Sequence, residues 1–137
     1  MVTPEKDLGR LLASIEPELQ AGTYVFCALG DDEPPPGLAV LMLFRESEGV
    51  TVVVRAEEAR SAGLACAFPC EWITLGVGSD LAAVGFLAEI TAKLADTSIG
   101  ANVVSAFHHD HLFVPAGRGG DALAALEDLQ RAQPDHG

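Results

Sequence analysis

The chain has 137 residues and a mass of 14.3 kDa, and 49% of its residues are apolar, enough for one ordinary domain or two small halves sharing a core. Against 20 Asp and Glu stand only 8 Lys and Arg, a net charge of −12, so a phosphate backbone is repelled and nucleic acid is disfavoured as a partner. No apolar run approaches the ~20 residues that cross a bilayer, and "MVTPEKDLGR" lacks the basic-then-apolar pattern of a signal peptide; a soluble, cytoplasmic protein without membrane contact is expected.

Thr3-Pro4 reads as a helix start, threonine as N-cap and proline in the first turn. Leu8, Leu11, Leu12 and Ile15 then share one helical face, and Pro17 ends the helix. "TYVFCAL" (23–29) is a strand. "GDDEPPPG" (30–37) is an exposed loop, because three successive prolines join neither a ladder nor a helix interior. "LAVLMLF" (38–44) and "VTVVV" (50–54) are strands apolar on both faces, which suits a sheet covered on both sides or paired with another molecule. "RAEEARSAG" (55–63) is a short helix closed by Gly63. "LACAF" (64–68) reads as a brief strand that Pro69 interrupts.

The second half continues with a strand at 72–77 and a helix at 81–97, in which Glu89, Lys93 and Asp96 form one polar stripe. A hairpin of 101–107 and 111–116 turns across "HHD", and a last helix covers 120–132, with Leu123, Leu126 and Leu129 along one side. Residues 72–132 thus read β-α-β-β-α, the split βαβ pattern without its closing strand. The first half reads α-β-β-β-α. The expected fold is α+β: two ferredoxin-like halves, 1–69 and 70–137, with antiparallel sheets packed by helices. The missing closing strand predicts a sheet that continues between halves or dimerises.

Three cysteines, Cys27, Cys66 and Cys70, are an odd number without an export signal and read as reduced thiols. The spacing of Cys66 and Cys70 fits neither a redox pair nor a zinc knuckle, and both are expected to be buried and inert. No Gly-x-Ser-x-Gly elbow and no partnered Cys or Ser nucleophile is found, so no catalytic residue and no cofactor is assigned.

The stretch "LGVGSDLAAVGFLAEI" (75–90) carries the chemistry. Gly76 and Gly78 fill two places of a dinucleotide fingerprint, but Leu81 stands where the third glycine belongs, and no Gly-Lys-Ser/Thr phosphate loop follows. A helix beginning near Leu81 offers free N–H groups and a positive dipole end to a carboxylate. Ser79 or Asp80 is the expected N-cap. Asp80 suits an ammonium group, and Gly85 admits close approach. A carboxylate site beside an ammonium partner describes a free amino acid. The plainer alternative is a helix cap and a packing glycine.

"WITLGVGSDLAAVGFLAEITAKLADTSIGANVVSAFHHDHLFVP" (72–115) resembles an ACT domain, the βαββαβ module that often senses amino acids. "DLGRLLASIEPELQAGTYVF" (7–26) and "FRESEGVTVVV" (44–54) are similar to the N-terminal half of small bacterial proteins with two such halves. The resemblance spans roughly residues 5 to 130 and extends to the regulatory halves of aspartate kinases. It implies a ligand site at the first strand-to-helix turn of the second half, Gly78, Ser79, Asp80 and Leu81, with Val84 and Gly85 behind it. The entry to the next strand, Ile99, Asn102 and Val103, completes that site, often with a neighbouring half. Asn102 could bridge ligand and turn, or serve only as a turn residue.

"HHDH" (108–111) offers three imidazoles and a carboxylate, a set that suits zinc or nickel. Adjacent strand residues point to opposite faces, however, and the run sits where the hairpin turns, so no metal ligand is assigned to His108, His109 or His111. The expectation is a non-catalytic regulatory homodimer that binds a small ligand, an amino acid. The alternative is a ligand-free interaction module.

Overall fold

The computed structural model describes residues 7–76 and 83–134. Its elements in chain order are α1 (Leu8–Ala13), β1 (Pro17–Leu19), β2 (Tyr24–Gly30), β3 (Met42–Glu46), β4 (Gly49–Arg55), α2 (Ala56–Ser61) and β5 (Cys66–Leu75). α3 (Phe86–Asp96), β6 (Asn102–Ser105), β7 (Asp110–Pro115) and α4 (Gly119–Arg131) follow. Among the described residues no helix is long and apolar enough to cross a membrane. The chain divides into two compact units, one of Met1–Gln20 with Glu71–Gly137 and one of Ala21–Cys70. β5 gives its first five residues to the smaller unit and its last five to the larger.

In the larger unit, α1 begins with Asp7, whose carboxylate accepts the Arg10 N–H at 3.0 Å; the expected start at Thr3-Pro4 lies outside the described residues. The helix is short, as expected, and ends at Ala13 with Ser14 as its C-cap, and the three residues from Pro17 form a strand. Pro17, Glu18 and Leu19 pair antiparallel with Leu75, Thr74 and Ile73. Backbone bonds from Gln20 to Trp72 (2.8 Å) and from Gly76 to Glu16 (2.9 Å) extend this ladder. β5 neighbours β7, and β7 pairs antiparallel with β6. β1 therefore supplies the closing strand that residues 72–132 lack.

The core of this unit lies between sheet and helices. It joins Leu11, Leu12 and Ile15 to Ile73 and Leu75, to Phe86, Ile90 and Leu94 of α3, to Leu112 and Val114, and to Ala125, Leu126 and Leu129 of α4. Alternation along β5 and β7 places these residues on the helix-facing side. Trp72, Thr74, His111 and Phe113 fall on the other side. A fully buried leucine or isoleucine contributes about 2 kcal/mol relative to exposure, and this two-sided burial holds the residue 7–20 segment to the later elements.

In the smaller unit the strand order is β3-β4-β2-β5. α2 packs Ala59 onto Val25, Cys27, Val50, Val52 and Val54. Val52, Val53 and Val54 are all fully buried, so β4 is covered on both faces as its composition predicts. β3 is not: Leu43 and Phe44 are 37% and 63% exposed, as is Leu41 just before it at 37%. The strand expected at 38–44 starts only at Met42, because Leu38 and Val40 turn onto the core and the Ala39 N–H bonds to the Glu58 carboxylate at 2.9 Å instead of a ladder. Pro69 does not interrupt the chain's path either. Between the pairs Tyr24↔Cys70 and Phe26↔Ala67 one extra residue sits on β5, and Phe68 takes φ 57°. This is a β-bulge, where a proline without an N–H costs no ladder bond.

Candidate functional site

The site begins where β5 delivers the chain past Gly76. A Cβ on Gly76 would lie 2.8 Å from the Glu16 carbonyl oxygen, so this glycine allows β1 and β5 to pair to their ends. Gly78, Ser79, Asp80 and Leu81, the centre of the expected site, lie outside the described residues. Beyond them the expected helix start is corrected. α3 begins at Phe86, not at Leu81, because Gly85 is left-handed at φ 90° and breaks the helical path before it. Val84 stands 86% exposed. A Cβ on Gly85 would meet only Leu8 Cδ2 at 3.4 Å, so it is the backbone angle and not space that calls for glycine.

With glycine as N-cap, α3 has no side-chain cap bond. The Glu89 N–H donates to the Gly85 carbonyl at 3.1 Å. Among the described residues, the N–H groups of Phe86, Leu87 and Ala88 find no acceptor. They point out of an 11-residue helix at its positive end.

The start of α4 in this unit is filled. The Glu71 carboxylate accepts the N–H of Gly117 at 2.7 Å and of Gly119 at 3.1 Å, so α4 carries an anion from its own chain. A Cβ on Gly119 would lie 2.8 Å from Glu71 Oε2. Sequence reasoning missed this contact. The run "GRGG" (117–120) before a helix is an anion-cradle signal, but its partner is 46 residues away.

Ile99 is 3% exposed and ends α3. Its N–H reaches the Leu94 carbonyl at 2.9 Å and that of Ser98 reaches Ala95 at 2.9 Å, while Ser98 takes φ 61°. This is a Schellman motif, with the Ile99–Leu94 apolar contact that goes with it. Asn102 is exposed and Val103 half-buried against the core, so their side chains leave β6 on opposite faces. α3 carries the chain back along the sheet, which starts β6 at the end where β5 begins. Asn102 therefore sits at the opposite end of the strands from Leu75, where β5 ends.

The histidine run turns the hairpin at residues 106–109, closed by the Ala106 N–H to the His109 carbonyl at 3.0 Å. Asp110 is not in the turn but opens β7 and is buried. His108 stacks edge-on to Phe107 at 5.1 Å, while the His109 and His111 rings lie 6.5 Å apart. His111 Nδ1 accepts the Trp72 indole N–H at 3.0 Å and lies 3.3 Å from Thr74 Oγ1, which itself accepts from Gln20 at 3.1 Å. An indole nitrogen only donates, so His111 is held neutral with its proton on Nε2. Burial, and then His109, push its pKa below the usual value, against a smaller opposing effect of Asp110. Among the described residues no three His, Cys, Asp or Glu side chains come together as a metal requires.

A model of the ACT-domain family matches residues 3–71 and a second ACT-domain model matches residues 67–128; neither is a catalytic family. A crystal structure of a Vibrio cholerae protein of unknown function, described as a possible transport protein, is 42% identical with a TM-score of 0.81, covering 90% of this chain and 95% of that one. An Agrobacterium tumefaciens protein is 20% identical with a TM-score of 0.66, covering 85% and 89%. The regulatory subunit of aspartate kinase from Thermus flavus shares the fold at 13% identity and a TM-score of 0.64, covering 82% and 95%. No curated protein matches the chain.

Proposed function

The chain belongs to the ACT-domain family, and from that premise we propose that it is a non-catalytic regulatory protein whose ligand is a free amino acid. The observation that supports this reading is the start of α3, an apolar helix whose N-cap is a left-handed glycine and whose first N–H groups have no acceptor among the described residues. A carboxylate suits those N–H groups. Asp80 suits the ammonium group. Asn102, at the other end of the strands, reaches a ligand at that turn only from a second copy, so the proposed site is completed across a homodimer. The regulatory role of the aspartate kinase subunits with this fold is in line with such a part.

The exposed apolar side chains of β3, Phe44 above all, favour a second reading, an interaction module that binds no metabolite. Thermal unfolding with each of the twenty amino acids separates the two. A ligand at a hundred times its dissociation constant stabilises the fold by ~2.7 kcal/mol. At least one such shift is expected. If none of the twenty moves the midpoint, the module reading stands and the sensor is excluded.

A further inference from the structure

Two neighbouring strands of the smaller unit, β2 and β5, set two cysteines opposite each other. Cys27 of β2 and Cys66 of β5 are direct antiparallel partners, so their side chains leave the sheet on the same face. The type of pair follows from the ladder on the other side of β2. Ala56 donates its N–H to the Thr23 carbonyl at 2.9 Å, and the register runs from there through Val25↔Val54 and Cys27↔Val52. Odd-numbered residues of β2 therefore spend their backbone groups on β4. Toward β5, Cys27↔Cys66 is a non-hydrogen-bonded pair, the kind whose Cα atoms lie about 4.5 Å apart. A disulfide spans roughly 4.4–6.8 Å between Cα atoms.

The two thiols differ in access. Cys27 is 1% exposed and packed among valines, whereas Cys66 is exposed, contrary to the inert burial its sequence context suggests. Cys66 opens onto a cavity of about 510 Å³ lined also by Val25, Ala59, Arg60, Leu64 and Pro69. Cys70 is set apart. It pairs with Tyr24 and gives its thiol proton to the Tyr24 carbonyl at 3.3 Å, and burial pushes its pKa to about 11. Four residues along one strand is about 13 Å, too far for a bond to Cys66.

We propose that Cys66 and Cys27 form a reversible oxidation site in which a small peroxide converts this cross-strand pair to a disulfide. The Cys66 sulfur attacks one peroxide oxygen, the O–O bond breaks, one water leaves and a sulfenic acid remains. The Cys27 sulfur then attacks the Cys66 sulfur, the S–O bond breaks and a second water leaves. Two thiols and one peroxide give one disulfide and two waters, sulfur being oxidised and peroxide reduced. Burial, followed by the neighbouring Cys66, raises the Cys27 pKa, so the second step relies on proximity rather than on a ready thiolate. The bond would tie β2 to β5 beside the cavity.

The test treats the full chain with a few-fold excess of hydrogen peroxide, then blocks free thiols and maps peptides by mass spectrometry. The expected result is a Cys27–Cys66 bridge reversed by dithiothreitol, with the free-thiol count falling from three to one. Cys70→Ser should bridge as the wild type does. Cys66→Ser, at an exposed position, should fold with an unchanged midpoint and form no intramolecular bridge. Retention of all three thiols, Cys66 accumulating as a sulfinic acid without a bridge, a bond between two chains, or a bridge that uses Cys70 would overturn the proposal.

Discussion

Two helices of the larger unit, α3 and α4, meet the problem of their first N–H groups in opposite ways. α4 receives a carboxylate from its own chain, Glu71, on Gly117 and Gly119. α3 receives none from a capping side chain and starts on a left-handed glycine. Both carry the same positive end. The first is a structural contact already made, and the second is the place where the proposed function puts a carboxylate from outside. The comparison sets a helix start that supports the fold beside one that has no side-chain cap and that the proposed function reads as a binding place.

The sharpest way to break that comparison is Glu71→Ala. It removes a charged acceptor from two N–H groups and should cost about 2 kcal/mol in a denaturant melt. A loss below roughly 0.5 kcal/mol, within the range of ordinary surface changes, would mean that Glu71 is ornamental and that the two helix starts do not differ. Next is Gly85→Ala, expected to cost about 1–2 kcal/mol, because φ 90° is strained for a residue with a Cβ. Gly85→Asn should cost less, since asparagine tolerates left-handed angles. Equal losses for the two would point to crowding against Leu8 instead.

The polar side of the sheet gives a pH test. His111 titrates lower in the folded chain than its ordinary value. The unfolded chain therefore takes up the proton first, and stability rises with pH through that window. The His111 contribution is complete above about pH 6.5 and is lost as the pH falls below it. Melts between pH 7.5 and 5 should show this slope in the wild type and less of it in His111→Gln. Ligand tests belong above the window, where His111 is neutral in both states. The smallest effect is at the far end of α3: Ser98→Gly, at φ 61°, should stabilise by about 0.5–1 kcal/mol.

How much of this was legible follows from where the forces act. Leu11, Leu12 and Ile15, the valines of β4 and the face of α4 announce themselves by spacing, so the helices and main strands fall where periodicity puts them. The resemblance of 72–115 to an ACT domain agrees with the family model that matches residues 67–128. What escaped depends on contacts distant in sequence. Pro17, Glu18 and Leu19 carry no strand signature of their own and become β1 only because β5 offers a free edge. Pro69 reads as a break until Phe68 is seen to bulge. Glu71 looks like an ordinary strand acid until Gly117 and Gly119 fold against it. Of the site, the turn at Gly78–Leu81 lies outside the described residues, and Val84 and Gly85, expected behind it in the helix, precede α3 instead. Ile99 instead closes α3, and Asn102 stands at the other end of the strands.

The most direct measurement is of the backbone amides themselves. Amide NMR spectra recorded at pH 7.5 with each of the twenty amino acids, and with acetate as a bare carboxylate, should show saturable shifts at Phe86, Leu87 and Ala88 for at least one amino acid. The amides of Gly117 and Gly119, already bonded to Glu71, should stay in place. If the α3 amides hold still under every amino acid, or if the only saturable shifts fall elsewhere, then the open helix start is not a carboxylate site.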